Sequence, residues 1–202
     1  MADATAPVSN APNVLCIANM LYTWASKAAM TKISTEGSVH QSKLDRMWTV
    51  AGIASSYFKH QHVQQRAAGM SWSAINNKDV VIKKWLLGLG RQISTEIDAS
   101  RASGHENNTQ YWRGYSILPI ALLNFDHDLL RQSRRVFITS MLAIVSDVAE
   151  DDKGFLPFEL ERSTKSLHYH AYAIKPILGM AIMSRSYGCD FASTPWRISQ
   201  IG

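Results

Sequence analysis

Apolar residues recur at steps of three and four along most of the chain. In NVLCIANMLYTWASKAAM, Leu15, Ala18, Leu21 or Tyr22, Ala25 and Ala29 fall on one face, and the spacing predicts a first amphipathic helix. SKLDRMWTVAGIASSYFKH repeats the pattern through Leu44, Met47 and Trp48, Ala51, Ala54 or Ser55, and Tyr57-Phe58, with Ser42 as its N-cap candidate. DVVIKKWLLGLGRQISTEI sets Val81, Trp85, Leu86, Leu89, Ile93 and Ile97 against Lys83, Lys84, Arg91 and Glu96. A fourth helix runs through ILPIALLNF, interrupted or kinked at Pro119. Asp126 or Asp128 caps a fifth, DLLRQSRRVFITSMLAIVSDVA. A last helix runs from Ser166 through AYAIKPILGMAIMSRSYG, with Pro176 as a kink and Gly188 as a stop. Only ISQI and short apolar fragments suggest strands. The predicted fold class is therefore all-α, built of successive antiparallel helical hairpins joined by short loops. Residues 1–202 read as one domain, with 1–12 a flexible N-terminal segment.

Composition narrows this picture. Of 202 residues, 46% are hydrophobic and 18% charged, and six are tryptophan, which describes a folded chain able to bury a substantial core. No apolar run is long enough to span a membrane, so no membrane partner is expected. The start, MADATAPVSNAPN, lacks the basic and apolar regions of a signal peptide. Twenty-one Lys and Arg against 16 Asp and Glu give a net charge of +5, a field that attracts anions. The basic residues are scattered, with Lys83-Lys84 and Arg134-Arg135 the only doublets, so nucleic acid is not the expected polyanion. Cys16 and Cys189 read as two buried free thiols rather than a disulfide; no metal site uses them, and no cofactor is expected.

Two polar clusters interrupt the helical pattern, each at a helix entrance. The first is Asn107-Asn108-Thr109-Gln110-Tyr111-Trp112, in the stretch HENNTQYWRGY. The second, LPFELERSTKSLHYHAY, runs from Leu156 to Tyr172 and carries Arg162, Lys165, His168, Tyr169, His170 and Tyr172. If one helix already includes Arg162, then Tyr169, seven residues on, returns to nearly the same angle, and Tyr172 follows one turn later. A guanidinium beside a phenol favours the phenolate, and an aromatic ring offers a flat surface to a sugar. The plainer alternative is a solvated Arg162 beside two half-buried tyrosines. Asn107 or Asn108 equally reads as a helix cap.

ENNTQYW, followed some forty residues later by LPFELERSTKSLHYHAYAIKPIL, resembles the paired signatures NNHxYW and LPxELxRxxxxLxYHxYAL of the alginate lyases of polysaccharide lyase family five, the poly(β-D-mannuronate) lyases. LYTWASKAAM, DRMWTVAGIASSYF and IKKWLLGL resemble the helices that precede the first signature there, so the likeness extends from about Leu15 to Asp190. It implies an incomplete α/α toroid with a tunnel-like cleft, a periplasmic or secreted setting, and an anionic polysaccharide partner. That partner is mannuronate-rich alginate or a related polyuronate, cut by β-elimination. It further implies that Asn108 and Arg162 neutralise the substrate carboxylate and that Tyr169 is the catalytic tyrosine. Thr109, Tyr111, Trp112, His170 and Tyr172 fall on motif positions that bind substrate along the cleft.

The chemistry suits these residue types. Removing the C5 proton of a uronate leaves a carbanion spread onto the carboxylate, which a fixed cation and an amide donor stabilise. A phenol then protonates the departing O4. The family's NNH reads NNT here, and Thr109 cannot act as a base near neutral pH. His105, four positions upstream, His168 and His170 are the imidazoles that could compensate, though each reads first as a surface or packing histidine. The family's N-terminal lid portion has no counterpart before Leu15, so closure over substrate is expected to be incomplete. Lys43, Arg46 and Lys78 are candidate cleft cations. Two readings follow: a working polyuronate lyase, or a lyase-like protein that binds the polymer without turnover.

Overall fold

The structure, a computed structural model, describes residues 11–66, 76–104, 107–145 and 154–193. Seven helices carry these residues: α1 (Ala11–Ser26), α2 (Val39–Arg66), α3 (Asn76–Ala102), α4 (Asn108–Asn124), α5 (His127–Val145), the one-turn α6 (Pro157–Leu160) and α7 (Ser166–Ser186). No strand occurs among the described residues, and the all-α expectation holds. The ISQI segment and residues 1–10 of the expected N-terminal segment lie outside them, as does the end of the fifth predicted helix beyond Val145.

Helix α4 lies at the centre. It packs on α2, α3, α5 and α7, while α1 closes against α3. Twelve of its 17 residues are buried, including Ile117, Leu118, Ile120, Ala121 and Leu123. A helix buried on all sides needs apolar or small residues all round, which ILPIALL supplies. One continuous core results, with Leu21 from α1, Val50 and Tyr57 from α2, Leu86, Leu89 and Ile93 from α3, Phe137 from α5 and Met180 from α7. Neither Pro119 nor Pro176 interrupts its helix.

Close approach of α4 to its neighbours depends on two glycines. A Cβ on Gly114 would stand 2.7 Å from Val136 Cγ1, and one on Gly179 would stand 2.5 Å from the Tyr115 ring. Neither separation is tolerable between carbons, so bare backbone is required at both crossings.

The helix ends show where local signals were legible. Asn107 caps α4, its Oδ1 accepting from the Thr109 N–H at 3.0 Å. Asp126 caps α5, Oδ1 accepting from Leu129 N–H at 3.0 Å and Asp128 N–H at 3.1 Å. Only Phe125 and Asp126 join α4 to α5, which forces an antiparallel hairpin. The cap of α2 is Ser38 rather than Ser42: Ser38 Oγ accepts from the Gln41 N–H at 3.2 Å. The helix starts earlier than expected because its first turn, Val39 to Gln41, is solvent-exposed and carries no apolar period to read. Helix α1 stops at Ser26 instead of reaching Met30. Ala28 and Met30 take φ of 50° and 62°, and the Ala29 carbonyl accepts from the Trp85 indole at 2.8 Å. Gly188, at φ 73°, ends the chain's turn after α7 as expected. Both cysteines are free, but Cys16 is exposed and Cys189 half-buried, so the expectation of burial fails for Cys16.

Gly114→Ala is expected to cost about 1–3 kcal/mol, because the β-branched Val136 has no rotamer that clears the added methyl. Thermal unfolding checks this: the midpoint falls by several degrees, and an unchanged midpoint would show that α4 and α5 are not in close contact there.

Candidate active site

The two polar clusters meet at one cleft of about 440 Å³, lined by His40, Gln41, Leu44 and Trp48 of α2, Asn108 and Thr109 of α4, and Arg162, His168, Tyr169 and Tyr172. The meeting point is the N-terminal end of α4. A helix start leaves backbone N–H groups without intrahelical acceptors. Here Glu159 of α6 supplies one: its Oε1 accepts from the Asn108 backbone N–H at 2.6 Å, and the Asn108 Nδ2 donates to both carboxylate oxygens at 3.1 Å. Glu159 is fully buried.

Arg162 and Tyr169 do not share one helix. Helix α6 ends after Leu160, Ser163 takes φ 53° in the left-handed region, and a 3-10 turn, Ser163–Lys165, precedes α7. The break is held by Ser166 Oγ, which donates to the carbonyls of Leu160 at 2.9 Å and Ser163 at 2.6 Å. The turn nevertheless folds Arg162 back, so that its guanidinium carbon lies 4.8 Å from the centre of the Tyr169 ring. Its Nε is 3.8 Å from Glu159 Oε2. With its side chain 39% exposed, the guanidinium remains open to the cleft.

The aromatic wall runs behind the phenols. Tyr172 stands with its ring centre 6.2 Å from that of Trp48 and 5.2 Å from that of Trp112; Trp112 in turn meets Tyr115 edge-on at 5.9 Å. Trp112 backs Tyr172 rather than lining the cleft itself. The Tyr172 phenol is held above its ordinary value, chiefly by burial. The Trp48 indole N–H, close by but outside hydrogen-bond geometry, pulls the other way, and neighbouring Tyr169 adds to the rise.

Other expected site residues are placed elsewhere. Tyr111, 2% exposed, is a core residue. It is one helical step from Trp112 and so points about 100° away, into the interior. His170 is also buried and structural: Nε2 accepts from the Leu156 N–H at 3.0 Å, and Nδ1 lies 2.9 Å from the Ser166 carbonyl, which fixes a neutral imidazole with its proton on Nδ1. His105 lies outside the described residues. Arg46 is no cleft cation but a buried one, its Nη2 2.5 Å from Glu96 Oε1 and its Nη1 donating to Gln92 Oε1 at 2.5 Å. Lys78 donates to Asn19 Oδ1 at 2.6 Å, and neither it nor Lys43 lines the cleft. The α2 wall was missed in the sequence. Its signal is the row His40, Leu44, Trp48, four residues apart and so on one face.

The all-helical fold around this open cleft is that of an incomplete α/α toroid. The chain belongs to the alginate lyase family, whose sequence pattern matches residues 1–195. It is similar to alginate lyase A1-III from Sphingomonas species A1, with a TM-score of 0.68 and 25% identity, over 89% of this chain and 46% of that one. Among curated relatives, a polysaccharide lyase of Stenotrophomonas maltophilia is 29% identical over 179 residues, covering 87% of this chain and 48% of that protein. An alginate lyase of Pseudomonas putida is 28% identical over 191 residues, covering 93% and 47%. The chain thus spans about half the length of the relatives it matches.

Because burial favours the neutral phenol, Tyr172 is expected to ionise only above the ordinary tyrosine value of about 10. In an alkaline ultraviolet titration, the difference between the protein and Tyr172→Phe should show a phenolate emerging above that pH; emergence below it would contradict the packing against Trp48 and Trp112.

Proposed function

We propose that this cleft cleaves mannuronate-rich alginate, or a related polyuronate, by β-elimination. The observation that carries the reading is the convergence of Asn108, Arg162 and Tyr169 on one cleft, brought there from two segments some fifty residues apart. Membership of the alginate lyase family supports it. The +5 net charge suits an anionic polymer. A periplasmic or secreted setting, the one the family resemblance implies, suits such a substrate.

In this reading the uronate carboxylate sits against Arg162 and Asn108. Tyr169, as phenolate, takes the C5 proton; the electron pair left on C5 spreads onto the carboxylate, where the guanidinium and amide stabilise the growing charge. The pair then forms the C4–C5 double bond as the C4–O4 bond breaks, and Tyr169 returns its proton to O4. Both transfers by one phenol suit mannuronate, whose H5 and O4 lie on the same side of the ring. Tyr172, kept as a neutral phenol, serves as a stacking surface and hydrogen-bond donor and not as the base. Thr109 lines the cleft where the family carries a histidine. Two imidazoles share the cleft wall with Thr109: His168, its ring edge-on to Tyr169 at 5.4 Å, and His40, which faces the same space from α2.

Incubation with polymannuronate should generate the ultraviolet absorbance of an unsaturated uronate end. Tyr169→Phe should lower the rate by about 10²–10⁴ or more, since it removes the group that moves both protons. Equal traces from the protein and from Tyr169→Phe would overturn the lyase reading, and binding without product would leave a polymer-binding protein.

A further inference from the structure

We infer that Glu159 is a positioning residue that aims both carboxylate-reading groups; the inference rests on the reading of the cleft given above. A fully buried carboxylate is costly unless it is paired and hydrogen-bonded. Both carboxylate oxygens of Glu159 are engaged by groups of the site. Oε1 takes the Asn108 backbone N–H at 2.6 Å and its side-chain Nδ2 at 3.1 Å; Oε2 takes Nδ2 at 3.1 Å and faces Arg162 Nε at 3.8 Å.

Three consequences follow from these contacts. A carboxylate only accepts, so the Asn108 amide must present Nδ2 to it, which removes the freedom of the amide to turn over and fixes where its other atoms point. The negative charge at the first turn of α4 favours that helix end, so Glu159 docks α6 onto α4 across 51 positions of sequence. The same carboxylate engages the Nε edge of Arg162 while the ring of Tyr169 lies under its face, so two sides of the guanidinium are held and its terminal nitrogens remain for a ligand. Asn108, Arg162 and Tyr169 are thus set relative to one another by one buried group that does not line the cleft.

The test is a mutant cycle on polymannuronate, with an independent spectroscopic readout. Glu159→Gln keeps the shape of the side chain but puts a donor against the donors of Asn108. It should lower kcat by roughly 10²-fold, the effect of misplacing reacting groups by about 1 Å, with a smaller change in KM. Glu159→Asp should recover part of the loss. In an Asn108→Ala, Arg162→Ala background, Glu159→Gln should change the rate less than about threefold, because its effect passes through the residues already removed. An undiminished loss in that background would mean a general structural role and would overturn the inference. The side-chain amide of Asn108, assigned in a ¹⁵N spectrum by its absence from Asn108→Ala, should shift in Glu159→Gln while the thermal midpoint stays within a few degrees. An unmoved amide overturns the inference whether or not the protein cleaves polymer. A shifted amide in a protein that forms no product supports the Glu159 tie and counts against the lyase reading alone.

Discussion

The burial of α4 on every side is the constraint from which the rest of the structure follows. Four helices pack around it, and at two crossings the approach is close enough that only glycine fits, at Gly114 against Val136 and at Gly179 against Tyr115. A helix held in this way has one position and one rotation. Its N-terminal turn is therefore a rigid platform, and Asn108 and Thr109 inherit their place from the packing of ILPIALL several turns away. A site built on such an element is more exactly held than one carried by loops.

The segment that carries Arg162 is not one regular helix, and its rigidity has a different source. The segment from Leu156 to Ser166 passes through a one-turn helix, a left-handed serine and a 3-10 turn. It is pinned at three points: His170 holds the Leu156 N–H, Ser166 holds the Leu160 and Ser163 carbonyls, and Glu159 reaches across to α4. Beyond the burial of Leu156 in the core, polar groups thus hold the segment that carries Arg162. Such a network is worth most when every member is satisfied. His170 contributes here as a brace, which explains a buried imidazole beside a cleft it does not line.

The helices were legible because apolar steps of three and four persist along them, and the caps Asn107 and Asp126 follow from residue type and place. The pairing of Arg162 with Tyr169 was also legible, though for a reason that proved incomplete: spacing on one helix suggested it, while the chain achieves it by breaking the helix at Ser163. A left-handed serine leaves no mark in sequence. Tyr111 was misplaced because adjacent aromatics look alike in a motif, yet successive helical residues differ by about 100° and only one can face a given wall. The α2 contribution was invisible for a third reason. His40, Leu44 and Trp48 form an ordinary helical stripe, and only tertiary packing turns that stripe towards Asn108 and Tyr172.

The central claim is that Asn108 and Arg162 read a uronate carboxylate while Tyr169 faces the proton to be moved. A crystal structure of Tyr169→Phe with bound oligomannuronate tests it most directly. The account predicts one sugar whose carboxylate oxygens lie within hydrogen-bond distance, about 3 Å, of the Asn108 amide and the Arg162 guanidinium, with C5 turned towards the ring at position 169. A sugar bound in the cleft with its carboxylate turned to solvent or to the α2 wall would contradict it.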